Sequence, residues 1–190
     1  MNIKSKLSFI VATLVILNLT ACENKPAEET AKTGVEATAT TVGVAVEVQN
    51  GYKATLAEGI QFADKQNYPL FVKSVTGMSN YETLGRWTDG EKVVFTFTQN
   101  LPNNFTLELD LADTFSTNIG KEIQVQIGDW SGQFVGVQNA SNNKLTGKTT
   151  MPADSIVFTI PKPESPVNLG TGQDLRLLGI KFKKLSVIAE

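Results

Sequence analysis

The chain has 190 residues, with 17 basic against 19 acidic side chains, no histidine and a formal charge of −2. That length fits one domain with appendages, and the absence of histidine removes the commonest general base and metal ligand. A single cysteine, Cys22, closes no intrachain disulfide and builds no cysteine-rich metal site, and no basic run offers a footprint for nucleic acid.

At the start, Lys4 and Lys6 precede an uncharged, mostly apolar run over residues 7–19, which ends in Leu19-Thr20-Ala21-Cys22. A basic start, a short apolar core and small residues before a cut describe a secretory signal peptide. Thirteen residues are too few for a comfortable membrane span. The four residues to Cys22 resemble a bacterial lipobox. That resemblance implies a diacylglycerol thioether on Cys22, cleavage before it and acylation of the new amino group. We therefore expect a lipoprotein signal peptide over residues 1–21. Its removal takes Lys4 and Lys6 with it, so 15 basic residues face 19 acidic ones and the charge becomes −4. Glu23, rather than an aspartate, follows the cysteine, which points to a periplasm-facing place in the outer membrane.

Residues 23–49 are rich in Ala, Thr, Val and Glu and hold no aromatic residue. Without large apolar side chains such a stretch cannot offset its ordering entropy. We expect a lipidated flexible linker over residues 22–51. A coil of this length spans about 25–30 Å on average. Val42, Val44, Val46 and Val48 alternate ahead of Asn50-Gly51, so one strand of a hairpin is the alternative.

From Tyr52 onward the period is two. Val93, Phe95 and Phe97 alternate with Val94, Thr96 and Thr98; Phe105, Leu107, Leu109 and Leu111 with Thr106, Glu108, Asp110 and Ala112. Ile123, Val125 and Ile127 alternate with Gln124 and Gln126, and Ile156, Phe158 and Ile160 with Val157 and Thr159. One face of each run is apolar and the other mostly polar, as in antiparallel sheet covered on one side. Shorter candidates lie at 60–62, 71–75, 134–137, 144–149 and 178–187, the last with a possible break at Lys183-Lys184. Turn signals such as Asp89-Gly90, Pro102-Asn103-Asn104 and Asn142-Asn143 separate them. The expected fold is all-β, an antiparallel jelly-roll-like β-sandwich over residues 52–190.

Chemistry concentrates in residues 77–90, expected to be a shaped loop because Gly77, Gly85 and Gly90 punctuate it. It carries Tyr81, Glu82, Arg86, Trp87 and Asp89. Arg86 and Arg176 are the only arginines in the chain, and Asp174 lies beside the second. In one reading the guanidinium groups fork onto a glycan while Trp87 stacks on a sugar face. In the other, Arg86 pairs with Asp174 or Glu82, Arg176 pairs with Glu82 or Asp89, and Trp87 plugs one end of the sandwich. Trp130, in the turn-like Gly128-Asp129-Trp130-Ser131-Gly132, is either exposed for binding or folded over the core. Lys181, Lys183 and Lys184 read as a solvated strand face. No residue pattern points to catalysis, a metal or a cofactor.

Several segments follow one another as in a known family: Glu58-Gly59-Ile60-Gln61-Phe62, Tyr68-Pro69, the 77–90 stretch, residues 93–97, the proline loop at 160–170 and Asp174-Leu175-Arg176-Leu177-Leu178-Gly179. Their order resembles the accessory domain at the C-terminus of bacterial membrane phosphoglycerol and phosphoethanolamine transferases, also attached to some glycosyltransferases. The sharpest marks are Glu-x-x-Gly-Arg-Trp at 82–87 and Asp-x-Arg-x-x-Gly at 174–179. The resemblance implies a β-sandwich appendage working near envelope glycans; a lipid anchor is expected in place of the transferase, so neither phosphoglycerol transfer nor its metal site is carried over. The expected function is non-enzymatic binding of an envelope glycan or glycolipid. Docking onto a membrane glycan-modifying enzyme is the alternative.

Overall fold

In the computed structural model of the protein, each of the four long alternating runs is a strand with its apolar side chains turned inward. Residues 45–47 and 50–190 are described; the expected signal peptide, Cys22 and residues 23–44 of the expected linker lie outside the described residues. The strands are β1 (Val46–Glu47), β2 (Ile60–Gln61), β3 (Val72–Thr76), β4 (Arg86–Asp89), β5 (Lys92–Phe97), β6 (Asn104–Thr114), β7 (Glu122–Ile127), β8 (Trp130–Val135), β9 (Ser141–Lys148), β10 (Ser155–Thr159) and β11 (Leu178–Ala189). A 3-10 turn covers Ser116–Asn118.

One sheet runs β1-β3-β5-β10-β7-β8 and the other β2-β11-β6-β9, with β4 also paired to β11. Every pairing is antiparallel. Among the described strands only β7 and β8 follow each other within one sheet; all other consecutive strands lie in opposite sheets. This is the expected antiparallel sandwich with jelly-roll-like connections. The inner faces meet in an aromatic cluster. Phe182 of β11 lies 5.3 Å from Phe62, 5.9 Å from Phe95 and 5.1 Å from Phe158, ring centre to ring centre. All four rings are fully buried, which is where period-two alternation puts Phe95, Phe158 and Phe182.

Local expectations change at four places. Asn142-Asn143, expected as a turn, lies inside β9 and pairs with Asp110 and Leu109. Residues 77–90 form a hairpin rather than a loop: Met78 bridges Thr88, and Asp89 N–H donates to the Gly77 carbonyl at 2.8 Å. The return arm is β4, which zips onto β11. Gly85 has a φ of 141°, and a Cβ there would lie 2.1 Å from the Phe182 carbonyl oxygen, so close approach to β11 requires glycine. Next, Lys183-Lys184 does not interrupt β11, because register shifts on either side of Phe182 absorb the irregularity as bulges. Finally, Asn50-Gly51 does not close a hairpin. Val46–Glu47, inside the expected linker, pairs with Val75 and Ser74 of β3, and Tyr52 bridges Pro69.

Candidate functional site

β4 alternates in the sense opposite to its polarity. Arg86 and Thr88 point into the sandwich, while Trp87 and Asp89 point out. Arg86 is buried, with its guanidinium 4.7 Å above the Tyr68 ring. It donates to the Tyr68 hydroxyl at 3.2 Å and to the Gln66 carbonyl. The expected pairing of Arg86 with Asp174 or Glu82 is therefore corrected: the charge is held by an aromatic face and neutral oxygens of the 66–68 segment. Burial pushes the Tyr68 hydroxyl up, opposed by the neighbouring Arg86.

The other arginine organises the acidic residues. Arg176 Nη1 lies 2.5 Å from Glu82 Oε1, and Arg176 Nη2 lies 2.6 Å from Asp174 Oδ2. Arg176 Nε donates to both Asp174 oxygens at 3.0 Å. Lys181 Nζ reaches Glu82 Oε2 at 3.2 Å and sits 5.7 Å from the centre of the Trp87 ring. Lys181 is thus tied down, not a solvated lysine. Trp87 has Lys181 above its ring and Phe115 edge-on at 6.1 Å. Asp89 Oδ1 accepts from Leu177 N–H at 2.8 Å, and the Tyr81 hydroxyl donates to the Ala63 carbonyl at 3.0 Å. Arg176, Leu177 and Lys181 thus pin the hairpin to β11 and the segment leading into it, and Tyr81 ties it to the segment after β2.

The hydrogen bonds from Arg176 hold the Asp174 carboxyl below its ordinary range. Burial of Glu82 opposes ionisation, but the bonds from Arg176 and Lys181 outweigh it and lower its pKa too. A carboxylate whose pKa falls on folding stabilises the fold above the ordinary carboxylate range, and that stabilisation is lost as pH falls through the lowered folded value. A double-mutant cycle with Glu82→Gln and Arg176→Gln should give a coupling of about 1 kcal/mol at neutral pH, because the pair is partly exposed. The coupling should shrink below about pH 4. A coupling of zero at neutral pH would show that the pair does not clasp the hairpin.

Trp130 lies elsewhere. It is the first residue of β8, after the Gly128-Asp129 turn, at the end of the sandwich where β6 begins and β11 finishes. Its indole packs edge-on against Phe105 at 5.1 Å. A Cβ on Gly147 would lie 2.7 Å from the indole and 2.5 Å from Phe105, and one on Gly132 would lie 2.5 Å from the indole. Two glycines therefore seat this ring. Trp130 is half-buried and lines an open cleft of about 640 Å³ with Asn104, Thr146, Gly147, Lys148 and Glu190. Glu190 accepts from the Thr106 hydroxyl at 2.5 Å. Sequence reasoning missed the cleft's rim; a glycine inside an otherwise regular strand, Gly147, was the available signal.

Of the sequence-predicted site residues, the structure brings together Glu82, Trp87, Asp174 and Arg176, with Tyr81 and Asp89 on the same hairpin. It turns Arg86 inward and sets Trp130 at the far end of β11 from Trp87. Phosphoglycerol transferase I of Salmonella arizonae is 30% identical over 125 residues, which are 63% of this chain and 16% of that enzyme. The Escherichia coli enzyme of the same name is 29% identical over the same length and shares. This chain thus spans less than a fifth of the curated relatives it matches. Among solved structures, CBM29-2, a family 29 carbohydrate binding module, superposes with a TM-score of 0.46 at 12% identity, covering 68% of this chain and 84% of that one. An exo-beta-1,3-galactanase from Phanerochaete chrysosporium gives 0.30 at 15% identity, covering 77% and 29%. A family profile described as Domain of unknown function (DUF7024) matches residues 47–189, three quarters of the sequence, and the chain belongs to that family.

Proposed function

We propose that this protein is a non-enzymatic lipoprotein of the bacterial outer membrane, facing the periplasm, whose β-sandwich binds a glycan or glycolipid in the Trp130 cleft. The observation that carries this reading is an indole seated by two glycines and facing an open cleft rimmed by an amide, a hydroxyl, an ammonium and a carboxylate. A pyranose offers an apolar C–H face to such a ring and hydroxyls to such a rim. The cleft's volume lies within the range of ligand sites and suits a few sugar units. Packing against Phe105, Gly132 and Gly147 fixes the indole in advance, which reduces the entropy lost on binding. The carboxylates Glu82 and Asp174 are held ionised by Arg176, which favours clasping over acid–base work.

On an array of envelope glycans, Trp130→Ala should weaken binding by ~10-fold or more, because it removes the central anchor. Trp87→Phe should leave binding unchanged. Retained binding in a folded Trp130→Ala protein would overturn the cleft as the site. Lipidation rests on Leu19-Thr20-Ala21-Cys22 and is read separately from the mass of the membrane-extracted chain; an unmodified Cys22 would end that part of the reading. A second reading, docking on a membrane glycan-modifying enzyme, is favoured by Leu84 and Leu175, which are 67% and 78% exposed on the two segments that Glu82 and Arg176 tie together. Loss of co-purification with such an enzyme in Leu84→Ser/Leu175→Ser, with glycan binding intact, would distinguish it.

A further inference from the structure

A sheet edge presents unpaired N–H and C=O groups, and proteins usually blunt it with lysine, proline, bulges or short strands. Three edges here are blunted. β9 carries exposed Lys144 and Lys148, β1 is two residues long, and the short β2 and β4 share one side of the bulged β11. β8 is different. It is six residues long and ends its sheet among the described residues. Residues 130–143 contain no charged side chain and no proline. We propose that β8 is a docking edge for a second copy of this chain, the two β8 strands pairing antiparallel about a two-fold axis at Gln133.

The hairpin geometry defines which groups are free. A two-residue turn at Gly128-Asp129 makes Ile127 and Trp130 a hydrogen-bonded pair, so Val125–Gly132 and Ile123–Phe134 are hydrogen-bonded as well. The same parity continues beyond the strand, where Gly136 N–H donates to the Lys121 carbonyl at 2.9 Å. The N–H and C=O of Ser131, Gln133 and Val135 therefore point away from β7. A two-fold axis at Gln133 opposes Gln133 to its own copy and Ser131 to Val135 of the partner subunit. All three residues then face one another with outward-pointing backbone groups, which is the requirement for a hydrogen-bonded pairing.

The side chains obey the same symmetry. Ser131, Gln133 and Val135 are exposed on the outer face of the sheet. Gln124 Nε2 donates to Gln133 Oε1 at 2.9 Å, which leaves the Gln133 amide nitrogen as a donor toward the edge. Pairing two copies extends this into a continuous amide ladder across four strands. Any charge near the axis would oppose itself, and none is present. The edge is about 20 Å long, so strand pairing alone buries less than the ~800 Å² per partner of a standard interface. The dimer is therefore weak and reversible.

Cysteine cross-linking reads the register. The full chain carrying Cys22→Ala has no other thiol, and a hydrogen-bonded antiparallel pair sets Cα atoms about 5.5 Å apart, within disulfide range. Mild oxidation should link Gln133→Cys to itself. Ser131→Cys alone should link poorly, but it should link well when mixed with Val135→Cys. In sedimentation the mass average should rise with concentration, and Gln133→Lys, a surface change that opposes two ammonium groups across the axis, should weaken association by ~10-fold. Three results would overturn the proposal: a monomer at every concentration, cross-linking of Thr146→Cys on β9 as fast as Gln133→Cys, or slow exchange of the Gln133 amide in the dilute monomer. The last would show that another segment of the same chain covers β8.

Discussion

Phe95→Ala should remove about 3–5 kcal/mol of stability, while Thr96→Ala, one residue along the same strand, should remove well under 1 kcal/mol. Phe95 is fully buried and meets Phe62, Phe158 and Phe182 edge-on at 5.8, 6.1 and 5.9 Å. These neighbours come from both sheets, and each is itself held by the others. The cavity left by an alanine therefore has no side chain free to fill it, the condition under which such losses are largest. Domains of this size are stable by only about 5–15 kcal/mol, so the variant loses a large part of its reserve. Thr96 faces outward and is half-buried. Urea unfolding of the two variants measures the difference; equal, small losses would show that β5 does not face inward as described.

The same alternation explains what was legible in the sequence. Along β5, β6, β7 and β10 the apolar residues recur at every second position, so their inward faces follow from pleating alone. β4 has no such signal. Its Arg-Trp-Thr-Asp sequence turns the arginine and threonine inward and the tryptophan outward, because the Tyr68 ring and the Gln66 carbonyl wait inside. Those partners lie on a segment with no periodicity, so nothing in the sequence joined them to Arg86. Arg176 was different: its partner Glu82 was one of two acidic residues named for it, and spacing alone did not separate Glu82 from Asp89. The Trp130 cleft combines residues from β6, β8 and β9 with Glu190. The pairing of β6 with β9 and β11, and the packing of Trp130 from the other sheet against Phe105 and Gly147, bring them together.

Gly85→Ala should destabilise the domain by about 3 kcal/mol or more, combining backbone strain with a clash that a rigid partner cannot relieve. The added Cβ would meet the carbonyl oxygen of Phe182, a main-chain atom of β11, at 2.1 Å. β11 is held by β6 on its other side and has little room to retreat. The relief available is separation of the 77–90 hairpin from β11, which would pull Glu82 from Arg176 and lift Trp87 from Lys181. Gly90→Ala provides the comparison. Its φ of 114° is strained for alanine, but a Cβ there meets nothing within 4 Å, so about 1–2 kcal/mol should be lost. Hydrogen exchange at the β4 amides should accelerate in Gly85→Ala and stay slow in Gly90→Ala. Equal losses in the two variants would show that the hairpin is not pinned to β11.

Because every connection but one among the described strands crosses between the sheets, little of this fold can form from adjacent segments alone. Ile60 pairs with Leu185 and Phe105 with Ala189, so the first strands of the second sheet wait for the last. Loops must close before their contacts contribute, and chains dominated by such distant pairings fold in milliseconds to seconds rather than microseconds. The β7–β8 and 77–90 hairpins are local, but a lone two-stranded hairpin is marginal in water. A growing chain therefore leaves β2, β4 and one edge of β6 unpaired until residues beyond Leu178 are available. The interval before β11 arrives is when this protein most needs protection from aggregation.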